Sequence, residues 1–173
     1  TRTKDGLRVR EAFEAEPGKV LVSIDYSQIE VRVAAHVSGD ETMIAALIAG
    51  KDIHSVTGSI MFGVLLADVH PKKHRYPAKK STFSSIYGVT EQGLFEMYVT
   101  EDVFDFSKDD AAEHIRAFKR TYPGLEDMKR LMRIEAQKTG RVRDLYGRYR
   151  IVPEVISSHD RIVRAGLRQA INA

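Results

Sequence analysis

Only one stretch of this chain has the composition of a buried strand, and nearly everything after it reads as helix. Val20-Leu21-Val22-Ser23-Ile24 follows the turn-forming pair Pro17-Gly18 and runs straight into Asp25. Such a short apolar, β-branched run is the pattern of a strand buried on both faces. A lone strand is not stable without neighbours, and the rest of the sequence supplies few. The run is therefore expected to complete a sheet made elsewhere, and the chain reads as a fragment. Its 173 residues are nevertheless enough to bury a sizeable core.

Beyond Asp25 the periodicity is helical. Residues 27–37 place Ile29, Val33 and Val37 on one face. Asp40 is positioned to cap a helix over 42–49 that stops at Gly50, and Asp52 to cap one over 53–62 that stops at Gly63. Residues 65–74 form a basic connection containing Pro71, and Pro77 suits the first turn of a helix running to Tyr87-Gly88. The acidic stretch that follows is assigned no element before Ser107-Lys108-Asp109-Asp110, a helix start with Ala111, Ile115, Phe118 and Tyr122 on one face. Pro123-Gly124 breaks that helix, and Leu125, Met128 and Met132 begin another that ends before Gly140. Val142, Leu145, Tyr149 and Ile151 alternate in part, predicting a hairpin or extended pair, and Ser157 or Ser158 opens a last helix. The fold class expected is α+β and predominantly helical.

Net charge is 27 − 24 = +3, and its distribution says more than its sum. Acidic residues gather over 91–110, whereas 72–80 and 141–150 are strongly basic. Two separated basic clusters suit phosphate contacts, although a solvated surface explains most such clusters. The absence of cysteine excludes disulfides and thiolate metal sites and fits a reducing compartment. No apolar run approaches the roughly 20 residues of a membrane span, and residues 1–10 lack the apolar core of a signal peptide. A soluble intracellular protein is expected, with no membrane partner.

Asp25 closes the apolar run and precedes Tyr26-Ser27-Gln28-Ile29-Glu30. A carboxylate fixed at a strand exit can hold a hard divalent cation; the same residue can also merely cap the helix that follows. The sixteen residues 25–40 closely resemble motif A of family A DNA polymerases, DYSQIELRVLAHLSGD, with three apolar substitutions. That resemblance implies that Asp25 binds two catalytic Mg²⁺ ions and that Tyr26 offers its backbone carbonyl to one. It makes Gln28 a further nucleotide-binding residue and Glu30 the steric gate against a ribose 2′-hydroxyl.

Arg75, Lys79, Phe83 and Tyr87 recur every four residues, a gently winding stripe on a helix with cations first and aromatics last. Cations crowded at a helix N-terminus oppose its dipole, unless an anion is to bind there. A solvated amphipathic helix with Phe83 and Tyr87 in the core accounts for the spacing equally well. The stripe, closed by Gly88, resembles motif B of the same family, R-x₃-K-x₃-F/Y-x₃-Y-G. This implies that Arg75 and Lys79 grip the nucleotide phosphates, with Lys79 a general acid towards pyrophosphate. Phe83 stacks on the sugar-base region, and Tyr87 lies beside the nascent pair and bonds to Glu30. Pro77 departs from the family's small polar residue and places Arg75 in the lead-in turn.

Asp52-Ile53-His54 resembles the family's DIH element, making His54 a contact for the β-phosphate. Residues 140–153 resemble its G-x-V-x-T-L-x-G-R-R-R-x-x-P stretch, with Arg148 and Arg150 facing DNA phosphates; Gly88, Arg168 and Asn172 complete the implied DNA-binding set. The resemblance divides the chain into a palm segment over 1–39, fingers over 40–155, and the start of a returning palm helix over 156–173. The family's His-Asp motif, which carries the second metal-binding carboxylate, is not in the sequence. The whole reads as part of a template-directed DNA polymerase of a bacterial or phage-infected cytoplasm, inactive alone and working with primer-template DNA, dNTPs and a C-terminal palm. The competing expectation is a non-catalytic nucleic-acid-binding module derived from such an enzyme, which would have no need of a metal ligand or a sugar gate.

Overall fold

The structure, a computed structural model, describes residues 8–9, 11–100, 106–157, 163 and 166. Seven α-helices lie among them: α1 Ile29–Ser38, α2 Glu41–Ile48, α3 Ile53–Phe62, α4 Tyr76–Ile86, α5 Glu91–Thr100, α6 Lys108–Thr121 and α7 Pro123–Thr139. A two-stranded antiparallel sheet follows, β1 Arg141–Arg143 and β2 Tyr149–Ile151, with Val142 opposite Arg150. The α+β, mostly helical class is as expected.

Capping explains the boundaries. Asp40 accepts the Met43 N–H at 2.9 Å, and Asp52 accepts the Ser55 N–H at 2.9 Å. Gly39, Gly63 and Gly140 end α1, α3 and α7 in the left-handed region, where a Cβ is disfavoured. Ser107 and Asp110 form the reciprocal capping box that starts α6. Ala111, Ile115, Phe118 and Tyr122 are all buried along one face, as the spacing predicts. The last helix expected after Ser157 lies outside the described residues.

The main core gathers Val31, Ala34 and Ala35 of α1 with Met43, Ile53, Ile86, Phe118, Tyr122 and Leu125. Helix α1 therefore buries a different face from the one its periodicity suggests. Ile29 and Val33 are each 45% exposed and Val37 is 39% exposed. Both faces carry apolar residues, and the one with two alanines lets the α1 backbone approach α7 closely. A second cluster joins Leu94 and Tyr98 of α5 to Ala111 and Ile115 of α6. Helix α5 was not anticipated; its signals are the i, i+4 pair Leu94 and Tyr98 and Thr90, whose hydroxyl accepts the Gly93 N–H at 3.1 Å as a cap. A third cluster seats the hairpin on the end of α7 through Ala136, Val142, Val152 and Val155.

The strand expected over residues 20–24 does not form. The segment has no regular secondary structure and is unpaired, with Val20 81%, Val22 75% and Ile24 88% exposed. Its backbone groups have no partner strand, since the one sheet among the described residues is β1 with β2.

The helix through motif B also begins earlier than Pro77. A π-type turn, Pro71–Arg75, runs without a break into α4, with the Tyr76 N–H bonded to the Pro71 carbonyl. The free amides at its start belong to Lys72 and Lys73, and His70 Nδ1 accepts both, at 3.2 and 3.3 Å. Lys79 consequently sits well inside the helix rather than at an open N-terminus.

Asp40 does more than cap α2. Its second carboxylate oxygen accepts the Gly124 N–H at 2.8 Å, tying the start of α7 to the start of α2 across 84 residues. A Cβ on Gly124 would stand 2.9 Å from Asp40 Cα. Losing both caps should destabilise the chain by about 2–3 kcal/mol in Asp40→Ala, from roughly 1 kcal/mol per cap plus burial. Urea denaturation measures this, and Asp40→Asn should recover only part of the loss, since its single side-chain oxygen can accept one of the two N–H groups while its NH2 faces the other.

Candidate functional site

Arg75, Lys79, Phe83 and Tyr87 follow one another along the π-type turn and α4, so the expected stripe forms. Lys79 is exposed, its Nζ lying 5.8 Å from the Phe83 ring centre, and Tyr87 is 42% exposed. The Tyr87 hydroxyl donates to Glu30 Oε2 at 3.3 Å, joining α4 to α1 over 57 residues of sequence. Partial burial, then the Glu30 charge and hydrogen bond, raise the Tyr87 pKa above that of an ordinary phenol.

Arg75 is not a free cation. Its Nε and Nη2 donate to the Asp52 carboxylate at 2.7 and 3.1 Å, a bidentate pair. Asp52 at the same time accepts the Ser55 N–H and, at 2.7 Å, its hydroxyl. Partial burial works to raise the Asp52 pKa, but the bonds from Arg75 and Ser55 outweigh it and hold the carboxyl below its usual value. The sequence shows Asp52 as a cap; nothing in it shows the second partner.

His54 is 2% exposed, and its ring packs 5.2 Å from that of Phe83. Desolvation pulls its pKa down to about 4, opposed by Asp52 and assisted by Arg75 and Lys79. It is a neutral imidazole near pH 7, packed against Phe83, with Nδ1 lacking a partner among the described residues. In this conformation the side chain expected to contact a phosphate is almost wholly buried, with its ring against Phe83.

Gln28 holds the left-handed conformation at φ 53°, the only non-glycine residue described with positive φ. Its side-chain oxygen accepts the Ile53 N–H at 3.0 Å. The motif A turn is in this way fastened to the first turn of α3, which carries Asp52 and His54. Asp25 and Tyr26 precede this turn in the unpaired segment, both exposed. Asp25 therefore projects from an unpaired stretch and not from the rigid strand end expected. Among the described residues, no group of three His, Asp or Glu side chains is gathered to hold an ion.

Beside the Glu30–Tyr87 bond opens an apolar groove of about 360 Å³. Ile29, Val33 and Val37 form one wall and Met128 and Met132 another, with Leu145 and Tyr146 of the hairpin turn closing it. Arg148 at the rim pairs with Asp144 at 2.6 Å, and Arg141 and Arg143 both lie over the Tyr149 ring. Arg150 stands on exposed β2. Gly88 follows α4 at φ +74°. Arg168 and Asn172 lie outside the described residues.

The family model for DNA polymerase family A matches residues 1–173. The chain belongs to DNA polymerase family A. It is 40% identical over 172 residues to DNA polymerase I of Chloroflexus aurantiacus, and 37% identical over 171 residues to the thermostable DNA polymerase I of Thermus thermophilus. Each alignment covers 99% of this chain but only 17% and 20% of those relatives, so the chain spans about a fifth of their length or less. The fold matches the POL domain of Pol1 from M. smegmatis, solved in complex with DNA primer-template and dNTP. The TM-score is 0.83 at 32% identity, over 100% of this chain and 30% of that one. Among the described residues no helix is long and apolar enough to cross a membrane.

The buried His54 makes stability depend on pH. Its folded pKa of about 4 lies below the ordinary 6.5, so between these values the unfolded chain binds a proton that the folded chain does not. Stability should be full above pH 6.5 and fall by on the order of 3 kcal/mol as the pH drops to 4. Chemical denaturation across that window checks this, and His54→Phe should flatten the slope.

Proposed function

We propose that the chain is the nucleotide-binding part of a template-directed DNA polymerase, with residues 40–155 as fingers and 1–39 and 156–173 as palm segments. The observation that carries the reading is the Tyr87–Glu30 hydrogen bond. It joins the two motifs recognised separately in the sequence, and it sets a carboxylate beside the aromatic end of the cationic stripe. The fold neighbour's primer-template and dNTP supply the partners proposed.

In this reading the triphosphate lies along α4. Lys79 meets it as an exposed ammonium, and Arg75 exchanges the Asp52 carboxylate for a phosphate, keeping the same bidentate geometry. The primer 3′-hydroxyl gives up its proton to solvent as its oxygen bonds to the α-phosphorus, and the bond from that phosphorus to the bridging oxygen of the β-phosphate breaks. Lys79 passes a proton to the departing pyrophosphate. Phe83 supports the sugar and base, and Glu30, held by Tyr87, closes the space a 2′-hydroxyl would fill. His54 reaches phosphate only when its packing against Phe83 opens. The groove, apolar within and arginine-rimmed, suits base faces with phosphates at its edge.

The oxygen donors of Asp25 and the Tyr26 carbonyl suit Mg²⁺, which is usually held by one or two carboxylates together with substrate phosphates. When bound, the ion would neutralise charge on the transferring phosphoryl group. A pair of ions needs carboxylates beyond Asp25, and among the described residues no group of three His, Asp or Glu side chains is gathered to hold them.

Calorimetric titration with dNTP and Mg²⁺ tests the reading. Mg²⁺-dependent binding is expected, weakened by at least about tenfold in Lys79→Ala, the scale of a lost charged contact. DNA binding that is indifferent to nucleotide, Mg²⁺ and Lys79 would instead identify a binding module.

A further inference from the structure

A buried lysine serves none of the roles described so far. Lys129, on α7, has a side chain only 3% exposed. Its Nζ donates to the Ser85 carbonyl at 2.9 Å and pairs with Glu126 one turn earlier. A buried ion pair is weak support for stability, because an apolar side chain of similar volume often serves as well or better. Its presence therefore asks what the hydrogen bond positions.

The Ser85 carbonyl belongs to the C-terminal turn of α4, where unsatisfied carbonyls attract cations. It already accepts the Gly88 N–H at 3.1 Å. Lys129 thus grips the same oxygen that closes the turn around Tyr87, two residues beyond Ser85. Helix α7 packs on α1 as well, and α1 carries Glu30. One helix therefore contacts both carriers of the 3.3 Å Tyr87–Glu30 bond, a length at which small displacements decide whether the bond exists. Burial lowers the pKa of Lys129, and the Glu126 bond and charge oppose that, while Arg133 and Lys119 add to it.

We infer that Lys129 is a positioning residue for sugar selection: by clamping the end of α4 to α7 it holds Tyr87 against Glu30. The inference rests on the nucleotide-binding reading, but its first test does not. A single 3-fluorotyrosine at position 87 reports on the hydroxyl's partner by ¹⁹F NMR in the nucleotide-free chain, with Glu30→Ala marking the unbonded resonance. Lys129→Met should move the signal towards that position, and Lys129→Arg should leave it near the wild-type one. In nucleotide titrations, Lys129→Met should reduce the preference for deoxy- over ribonucleotide by about tenfold, as expected on losing one charged hydrogen bond. Lys79→Ala should weaken both nucleotides alike.

If Lys129→Met does not fold, Glu126→Gln loosens the same clamp and carries the same expectation. An unmoved ¹⁹F signal and an unchanged preference, with only the melting temperature lowered, would overturn the inference and make Lys129 a packing residue. A wild-type chain that binds no nucleotide would sink the function proposed above, while the ¹⁹F comparison would still decide the clamp.

Discussion

The architecture depends on one buried carboxylate. Asp40 is 2% exposed and shares its two oxygens between the first turns of α2 and α7, which lie 84 residues apart in sequence. Each helix start presents unpaired amides and the positive end of a dipole, so one anion satisfies both. This junction brings α7 beside α1 and lets Leu125 and Tyr122 enter the core with Val31 and Ala35. Gly124 is required at the contact because any side chain would meet the Asp40 backbone. The placement of Lys129, Met128 and Met132 around the site follows from where α7 starts.

Local chemistry made most of the helices legible. Asp40, Asp52, Ser107 and the terminal glycines act within a few residues of themselves, so their caps could be read directly. The face of α6 was equally plain, because its apolar residues lie on one side only. Helix α1 was not, since apolar residues occupy two of its faces and tertiary packing chose the one with alanines. The segment over 20–24 has strand composition, but a strand is defined by what it pairs with, and composition does not supply a partner. The early start of α4 was hidden by Pro77, which reads as a first turn although the preceding π-type turn already carries the helix.

The site divides along the same line. The Tyr87–Glu30 contact was anticipated from the family resemblance and is present in the structure. The Asp52–Arg75 pair, the Gln28 contact to Ile53 and the burial of His54 were not anticipated. Each depends on distances between segments 23 or more residues apart, or on solvent exclusion, and no spacing rule encodes those. Charge patterning also overstated the cations on offer: Arg75 and Arg148 each have a carboxylate neighbour in space.

The bidentate pair of Arg75 with Asp52 bears on how an anion would be received there. A guanidinium already matched to a carboxylate releases few mobile counterions when a phosphate takes the carboxylate's place. The exchange swaps one paired anion for another, and the displaced Asp52 stays nearby as a negative charge. Ionic strength then has little leverage on that contact. Of the cations along α4, the solvated Lys79 would carry most of whatever salt dependence the site displays, and Arg75 would contribute shape and direction instead.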